Sequence, residues 1–287
     1  MPIAAIAFDF DPVVRLADGL AVRWYLVALV AIITVGLIVA GLIARRDGLR
    51  ADDLLFIAVA SVPGAIIGGR LGYVLLHLDY YTANVTAITD PAQGSLELSL
   101  AMFGGMLSAS YVAVLLGAPI GQWLRAATLP LLFMLGAGKL AMVLDGSGQG
   151  QPSDLSWATA YVGAGPWATL APELPSHPAQ VYEGIATLAI LALLTLLMAA
   201  GLFKTRDGRL FFLGMGTWAL ARGAVTLTWR DSPVALSLSA GSFIAAALTL
   251  VFCVAWIVVL VRRHTTRDAG PSDLGLSWAD PTSRPPF

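Results

Sequence analysis

Four ionisable side chains stand where an apolar segment should hold none. Arg70, Lys139, Glu183 and Arg222 each fall inside or at the edge of a long hydrophobic run. A charge at the centre of a membrane helix costs about 2.5–3.5 kcal/mol on insertion scales, so such a residue is expected to face a protein interior and to act there. Three cations against one carboxylate leave two positive charges in excess, which a bound anion would cancel. In a membrane the anion to expect is a lipid phosphate, for which Arg offers a planar fork of donors and Lys a point charge. Two other readings stay open. Glu183 could pair with one cation while the others snorkel to the interface, or the group could serve an ion or proton pathway, for which Glu183 and His177 are few titratable groups.

The neighbourhood of these charges is patterned. His177-Pro178-Ala179-Gln180-Val181-Tyr182-Glu183 opens a hydrophobic run, with Pro in the first turn, where its missing N–H costs little. Spacings of three and six put Gln180 and Glu183 near the side of that helix that carries His177. Small residues cluster at 68–72 (GGRLG), 103–105 (FGG) and 136–139 (GAGK), where they let helices approach closely in lipid, so a packing role is as open as a site role. Trp24 and Tyr25, at the edge of the first run, suit an interfacial aromatic belt.

The elements that must position these groups follow from composition. Of 287 residues, 57% are hydrophobic and 12% charged, with a mean hydropathy of +0.78. That charged fraction is about half the roughly 25% of soluble domains. Seven apolar runs, at about 22–43, 54–77, 98–117, 121–142, 178–203, 209–228 and 237–262, are long enough to cross a hydrocarbon core. Stretches such as VALVAIITVGLIVAGLIA are apolar all round, which excludes the alternating strands of a membrane barrel. The chain is expected to be an all-α membrane protein, a bundle of seven transmembrane helices forming one integral membrane domain over residues 1–263.

Orientation follows from the basic residues. Arg45, Arg46, Arg50, Arg125, Lys204, Arg206, Arg209, Arg262, Arg263 and Arg267 follow alternate spans and belong inside; loops 78–97 and 143–177 hold no Lys or Arg and face outward. The N-terminus is then out, the C-terminus in, and all four intramembrane charges lie in the outer half of the bilayer. The first 20 residues lack the pattern of a cleavable signal peptide and are expected to be retained. Loop 143–177 is turn-rich in Gly and Pro and reads as an outer, periplasmic-side cap. Residues 264–287 bury too little to order and read as a disordered cytoplasmic tail. No internal repeat points to a transporter of two related halves. A net charge of −1 argues against a nucleic-acid partner, and the lone Cys253 excludes an internal disulfide and reads as a small buried hydrophobe.

Together these motifs resemble the prolipoprotein diacylglyceryl transferase family, bacterial membrane enzymes that move diacylglycerol from phosphatidylglycerol to a lipobox cysteine. The likeness runs in order through DFDPVV (9–14), RWY (23–25), GGRLGYVL (68–75), MFGGM (102–106), GAGKL (136–140), DGSGQGQPSDLSWA (145–158), HPAQVYE (177–183), GRLFFLGMGTWALARG (208–223) and WRDSP (229–233). It implies a seven-helix bundle with an outer head, in the bacterial plasma (inner) membrane, open sideways to the outer leaflet. It also implies an arm over that opening, for which loop 78–97 with Tyr80, Tyr81 and Glu97 is the candidate. The partners implied are phosphatidylglycerol or another anionic phospholipid and the lipobox-containing signal peptide of a prolipoprotein; no metal or redox cofactor is implied.

Carried over residue by residue, the resemblance gives Arg222 and Glu183 as catalytic candidates, and Asp145 joins them as a stand-in for the family Glu that Ser147 replaces, two positions later. Lys139, Arg70, Tyr25, Gly146, Gly150, His177, Gln180 and Tyr182 are the substrate-binding candidates. Several family positions are substituted: Lys139 stands for an essential Arg, Met142 and Asp145 for Asn, Ser147 for Glu, Gln151 for Arg, Thr226 for Glu, and Phe103 for the candidate thiol-activating His. Lys139 keeps the charge but loses the fork. Two functions stay open: an active, divergent transferase, or a paralogue that binds phospholipid in the same cavity without transferase chemistry.

Overall fold

The computed structural model describes residues 6–17, 19–90 and 92–268. A strand β1 (Ile6–Phe8) is followed by a hairpin of β2 (Val13–Ala17) and β3 (Leu20–Arg23). Helices α1 (Trp24–Arg46), α2 (Ala51–Leu76), a short α3 (Leu78–Ala83), α4 (Leu98–Leu115) and α5 (Ile120–Ala141) come next. Strand β4 (Thr159–Tyr161) precedes α6 (Ala179–Ala199) and α7 (Arg209–Val225), and the hairpin of β5 (Pro233–Ala235) and β6 (Leu238–Ser239) leads into α8 (Ala240–Asp268). Among the described residues seven helices are long and apolar enough to cross a membrane: α1, α2, α4, α5, α6, α7 and α8. They coincide with the seven expected runs to within a few residues, because length and unbroken hydrophobicity were enough to mark them.

The expected packing surfaces are real. Helix α2 packs most extensively on α4, and a Cβ added at Gly64 or at Gly104 would overlap the carbonyl of the other. Gly136 of α5 and Gly184 of α6 approach in the same way, each carbonyl lying 3.0–3.2 Å from where the other's Cβ would sit. The apolar core between α5, α6, α7 and α8 is built on Leu132, Leu194, Met215, Trp218 and Phe252, each at most 2% exposed. Most other apolar side chains point outward, as a lipid-facing surface requires. Cys253 is among the outward-facing residues, so the expectation of a buried thiol is corrected: α8 turns that face away from the bundle.

One end of the bundle carries the cap. There β1 pairs in parallel with β4, a use of the N-terminal segment that three-residue strands leave invisible to periodicity. The Trp167 and Tyr161 rings meet at a tilt in the same region, their centres 4.8 Å apart. The opposite end is tied by Asp47, which accepts from Arg125 Nη1 at 2.6 Å and pairs with Arg206 Nη2 at 3.2 Å; Arg206 Nη1 also donates to the Asp47 carbonyl. Three connections therefore meet at one residue, two of them at its carboxylate. Of the residues expected to form a tail, 264–268 continue the backbone of α8 and 269–287 lie outside the described residues.

Candidate active site

Helix ends bring the charges together. Lys139 lies in the last turn of α5, Arg222 in the last turn of α7, and Glu183 in the second turn of α6, all at the cap end. Arg222 donates through Nη1 to Glu183 Oε1 at 2.5 Å, and Lys139 Nζ pairs with Glu183 Oε2 at 3.0 Å. Arg222 also donates through Nη2 to Glu97 Oε1 at 3.0 Å and through Nε to Ser99 Oγ at 2.7 Å. Its guanidinium lies 4.6 Å from the centre of the Trp229 ring, a cation–π contact that needs no further acceptor.

Glu97 was expected in an outer loop and is instead part of this cluster. It is the N-cap of α4, its two oxygens accepting from Ser99 N and Leu100 N at 2.8 and 2.7 Å. Its signal in the sequence is an acidic residue immediately before an apolar helix, the position where a carboxylate satisfies free N–H groups. With Glu97 included, two cations face two carboxylates, and the expected excess of two positive charges is corrected to neutrality.

Arg70 is the second correction. It does not join the cluster: its guanidinium donates to the carbonyls of Ile88 (2.7 Å), Gln93 (2.5 Å), Ala87 (2.5 Å) and Asp90 (3.0 Å) and lies over the Tyr81 ring. The carbonyls of Ala87, Ile88, Asp90 and Gln93 converge on this one guanidinium, which donates to all four. Arg70 thus fastens the segment between α2 and α4.

Beside Lys139 and Glu183 opens a cavity of about 260 Å³, lined also by Gly148, Gln149, Gln180, Trp229, Arg230 and Asp231. Gln180 is 1% exposed; its amide donates to Tyr161 Oη at 3.1 Å, and its carbonyl oxygen has no protein partner among the described residues. Burial pushes the Tyr161 hydroxyl up to about 12. Arg230 donates to the Gly150 carbonyl (2.6 Å) and to Ser176 Oγ (2.9 Å), which locks the 229–231 turn onto the cap. Gly150 is held between His177 and Thr228, and an added Cβ would overlap the Thr228 carbonyl. Gly146 and Gly148 have positive φ (79° and 76°), so the loop after α5 turns in a way that favours glycine at both.

The remaining candidates lie around this cavity and do not line it. Asp145 is 4% exposed and accepts from Ser147 N (3.0 Å) and Ser147 Oγ (2.6 Å), with no bond to the cations. Tyr25, at the start of α1, is within electrostatic range of Asp145. His177 Nδ1 lies 3.3 Å from Tyr182 Oη, which also accepts from Trp157 Nε1 at 2.8 Å. Of the spaced trio, Gln180 and Glu183 reach the cavity and His177 turns to Tyr182. Phe103 packs in the core, 6.3 Å from the Phe252 ring. Thr226 bonds Ser242 Oγ at 2.6 Å and so pins α7 to α8. Gln149, Trp229, Arg230 and Asp231 had no role in the sequence reading beyond two of the quoted motifs; being ordinary loop residues, they gave no signal.

These features define a polytopic membrane protein whose seven helices hold a compensated charge cluster and a polar cavity under a cap. The model of the prolipoprotein diacylglyceryl transferase family matches residues 12–261. The chain is 28% identical to the phosphatidylglycerol–prolipoprotein diacylglyceryl transferase of Rhodopseudomonas palustris, over 88% of this chain and 93% of that one. It is 30% identical to the proteins of that name from Geobacter sulfurreducens (81% and 87% covered) and Bordetella avium (90% and 97%). The chain belongs to the prolipoprotein diacylglyceryl transferase family.

Proposed function

We propose that this protein transfers the diacylglyceryl group of phosphatidylglycerol to the lipobox cysteine of prolipoproteins. It acts in the bacterial plasma membrane with its cap and N-terminus outward and its C-terminus inward. The observation that carries this reading is the convergence of Lys139 and Arg222 on Glu183 beside a cavity at the cap end of a bundle of this family. In the reaction the acceptor sulfur attacks the glyceryl carbon that bears the phosphate; an S–C bond forms, the C–O bond to phosphate breaks, and glycerol-1-phosphate leaves. Lys139 commits one of its three N–H groups to Glu183 and has two to offer the phosphate. Arg222, fixed by Ser99, Glu97 and Glu183, supplies a preorganised field that costs no reorganisation during reaction. Glu183 orients both cations. Gln180, with a free amide oxygen, suits a hydroxyl of the head group, and the acyl chains would remain outside so small a cavity.

One observation favours the second reading, a phospholipid-binding paralogue without transfer chemistry: Phe103 has no titratable group and is packed in the core. Complementation of a transferase-depleted strain, together with an in-membrane assay of diacylglyceryl attachment to a lipobox peptide, separates the two. Product above background is expected, with Lys139→Ala and Arg222→Ala each abolishing it. Absence of product at verified expression, with phospholipid binding retained, would replace the first reading by the second.

A further inference from the structure

A thiol with a reference pKa of about 8.5 is mostly protonated at neutral pH, so an attacking cysteine gains from a proton acceptor at hand. Phe103 cannot serve. Four other titratable groups near the cavity are already committed. Both oxygens of Glu183 face cations, those of Glu97 cap α4 and hold Arg222, Asp145 accepts from Ser147, and His177 faces Tyr182.

Asp231 is different. It lines the cavity with Lys139, Glu183 and Arg230, on the turn that Arg230 fastens to Gly150 and Ser176. Among the described residues no hydrogen bond or ion pair occupies its carboxylate, and its outer side is exposed. We propose that Asp231 is the catalytic proton acceptor for the attacking thiol, a role that rests on the transferase reading above. The S–H proton passes to an Asp231 oxygen and the sulfur electron pair forms the S–C bond. The pair of the breaking C–O bond stays on the phosphate oxygen, where Lys139 meets it. Exposure of Asp231 then lets the proton leave to water.

The surroundings suit this task. Partial burial at the cavity edge pushes the Asp231 carboxyl above the ordinary carboxylate range, while His77 at the end of α2 and Arg222 pull it back. Lys139, Glu183 and Arg230 are the other charged groups facing the same space. A carboxylate raised from its usual value is a better base.

The test uses the full-length protein in phosphatidylglycerol-containing nanodiscs with a lipobox peptide. Rates are followed from pH 6 to 10 for the wild type, Asp231→Asn and Asp231→Glu, with thermal unfolding as the fold control. Asp231→Asn should lower kcat roughly 100-fold or more at pH 7, with KM for lipid and peptide unchanged within about twofold. Its deficit should shrink below tenfold at the alkaline end, where the thiol ionises unaided. Asp231→Glu should keep part of the activity. A deficit that is the same at every pH, an effect on KM alone, or a wild-type rate in Asp231→Asn would overturn the assignment. An inactive wild type would overturn the transferase reading itself, a result distinguishable from all of these.

Discussion

Glu97→Gln tests the charge balance at the centre of the molecule. The substitution keeps size and shape where Glu97 packs against Gly72, whose added Cβ would lie 2.8 Å from the Glu97 Cβ, but it removes the charge facing Arg222 Nη2. Arg222 is 4% exposed, so it cannot recover that partner from water. Taking one partner from a buried pair costs about 3–5 kcal/mol. The lower end applies because Glu183 and Ser99 remain bonded to the same guanidinium. Gln also offers one acceptor oxygen where Glu97 uses two, so either Ser99 N or Leu100 N loses its cap, about 1 kcal/mol more. The sum, roughly 4 kcal/mol, corresponds to a midpoint lower by roughly 8 °C or more for a chain of this size. Thermal unfolding in nanodiscs reads it, and a cycle with Arg222→Gln should return a coupling of about 2 kcal/mol or more. A midpoint within about 2 °C of wild type, or strict additivity in the cycle, would refute the claim that Glu97 compensates Arg222.

Stability relative to Tyr161→Phe should fall as pH rises past 10. The unfolded hydroxyl ionises near 10.0 while the folded one holds its proton to about 12, so the benefit is complete below pH 10 and is lost by about 12; alkaline unfolding of the pair checks the slope. Asp47→Ala should lower stability by roughly 2–3 kcal/mol, since it strands Arg125, 16% exposed, and frees Arg206; the readout is unfolding, with KM for lipid unchanged. Gly104→Ala should destabilise by about 1–3 kcal/mol through overpacking between α2 and α4, whereas Gly19→Ala, with open space around its Cβ, should lack that steric cost and retain only its backbone strain at φ +80°; paired melts compare them.

The seven spans were legible because hydrophobic length is a one-dimensional property, and so was the depth of Lys139, Glu183 and Arg222, which share the cap end. Rotation about each helix axis was not. A segment apolar on every side gives no moment to say which way an isolated charge points, so Arg70 was assigned to a site it turns away from. Glu97 was placed in the outer loop for the opposite reason: it stands just outside an apolar run and carries no cost that would mark it as part of the site. Arg230, and with it Asp231, is placed by bonds to Gly150 and Ser176, 80 and 54 positions earlier in the chain, and no local spacing encodes that.

The knot at Asp47 bears on how the molecule is assembled. Its partner Arg125 comes 78 residues later in the chain, and Arg206 159 residues later. At about 5–20 residues per second of synthesis, that carboxylate waits roughly 8–30 s for its second arginine. By then α1, α2, α4, α5 and α6 have all been made. The foot of the bundle can therefore be fastened only once the chain has passed α6, so the last contact formed there also registers that the earlier helices have arrived.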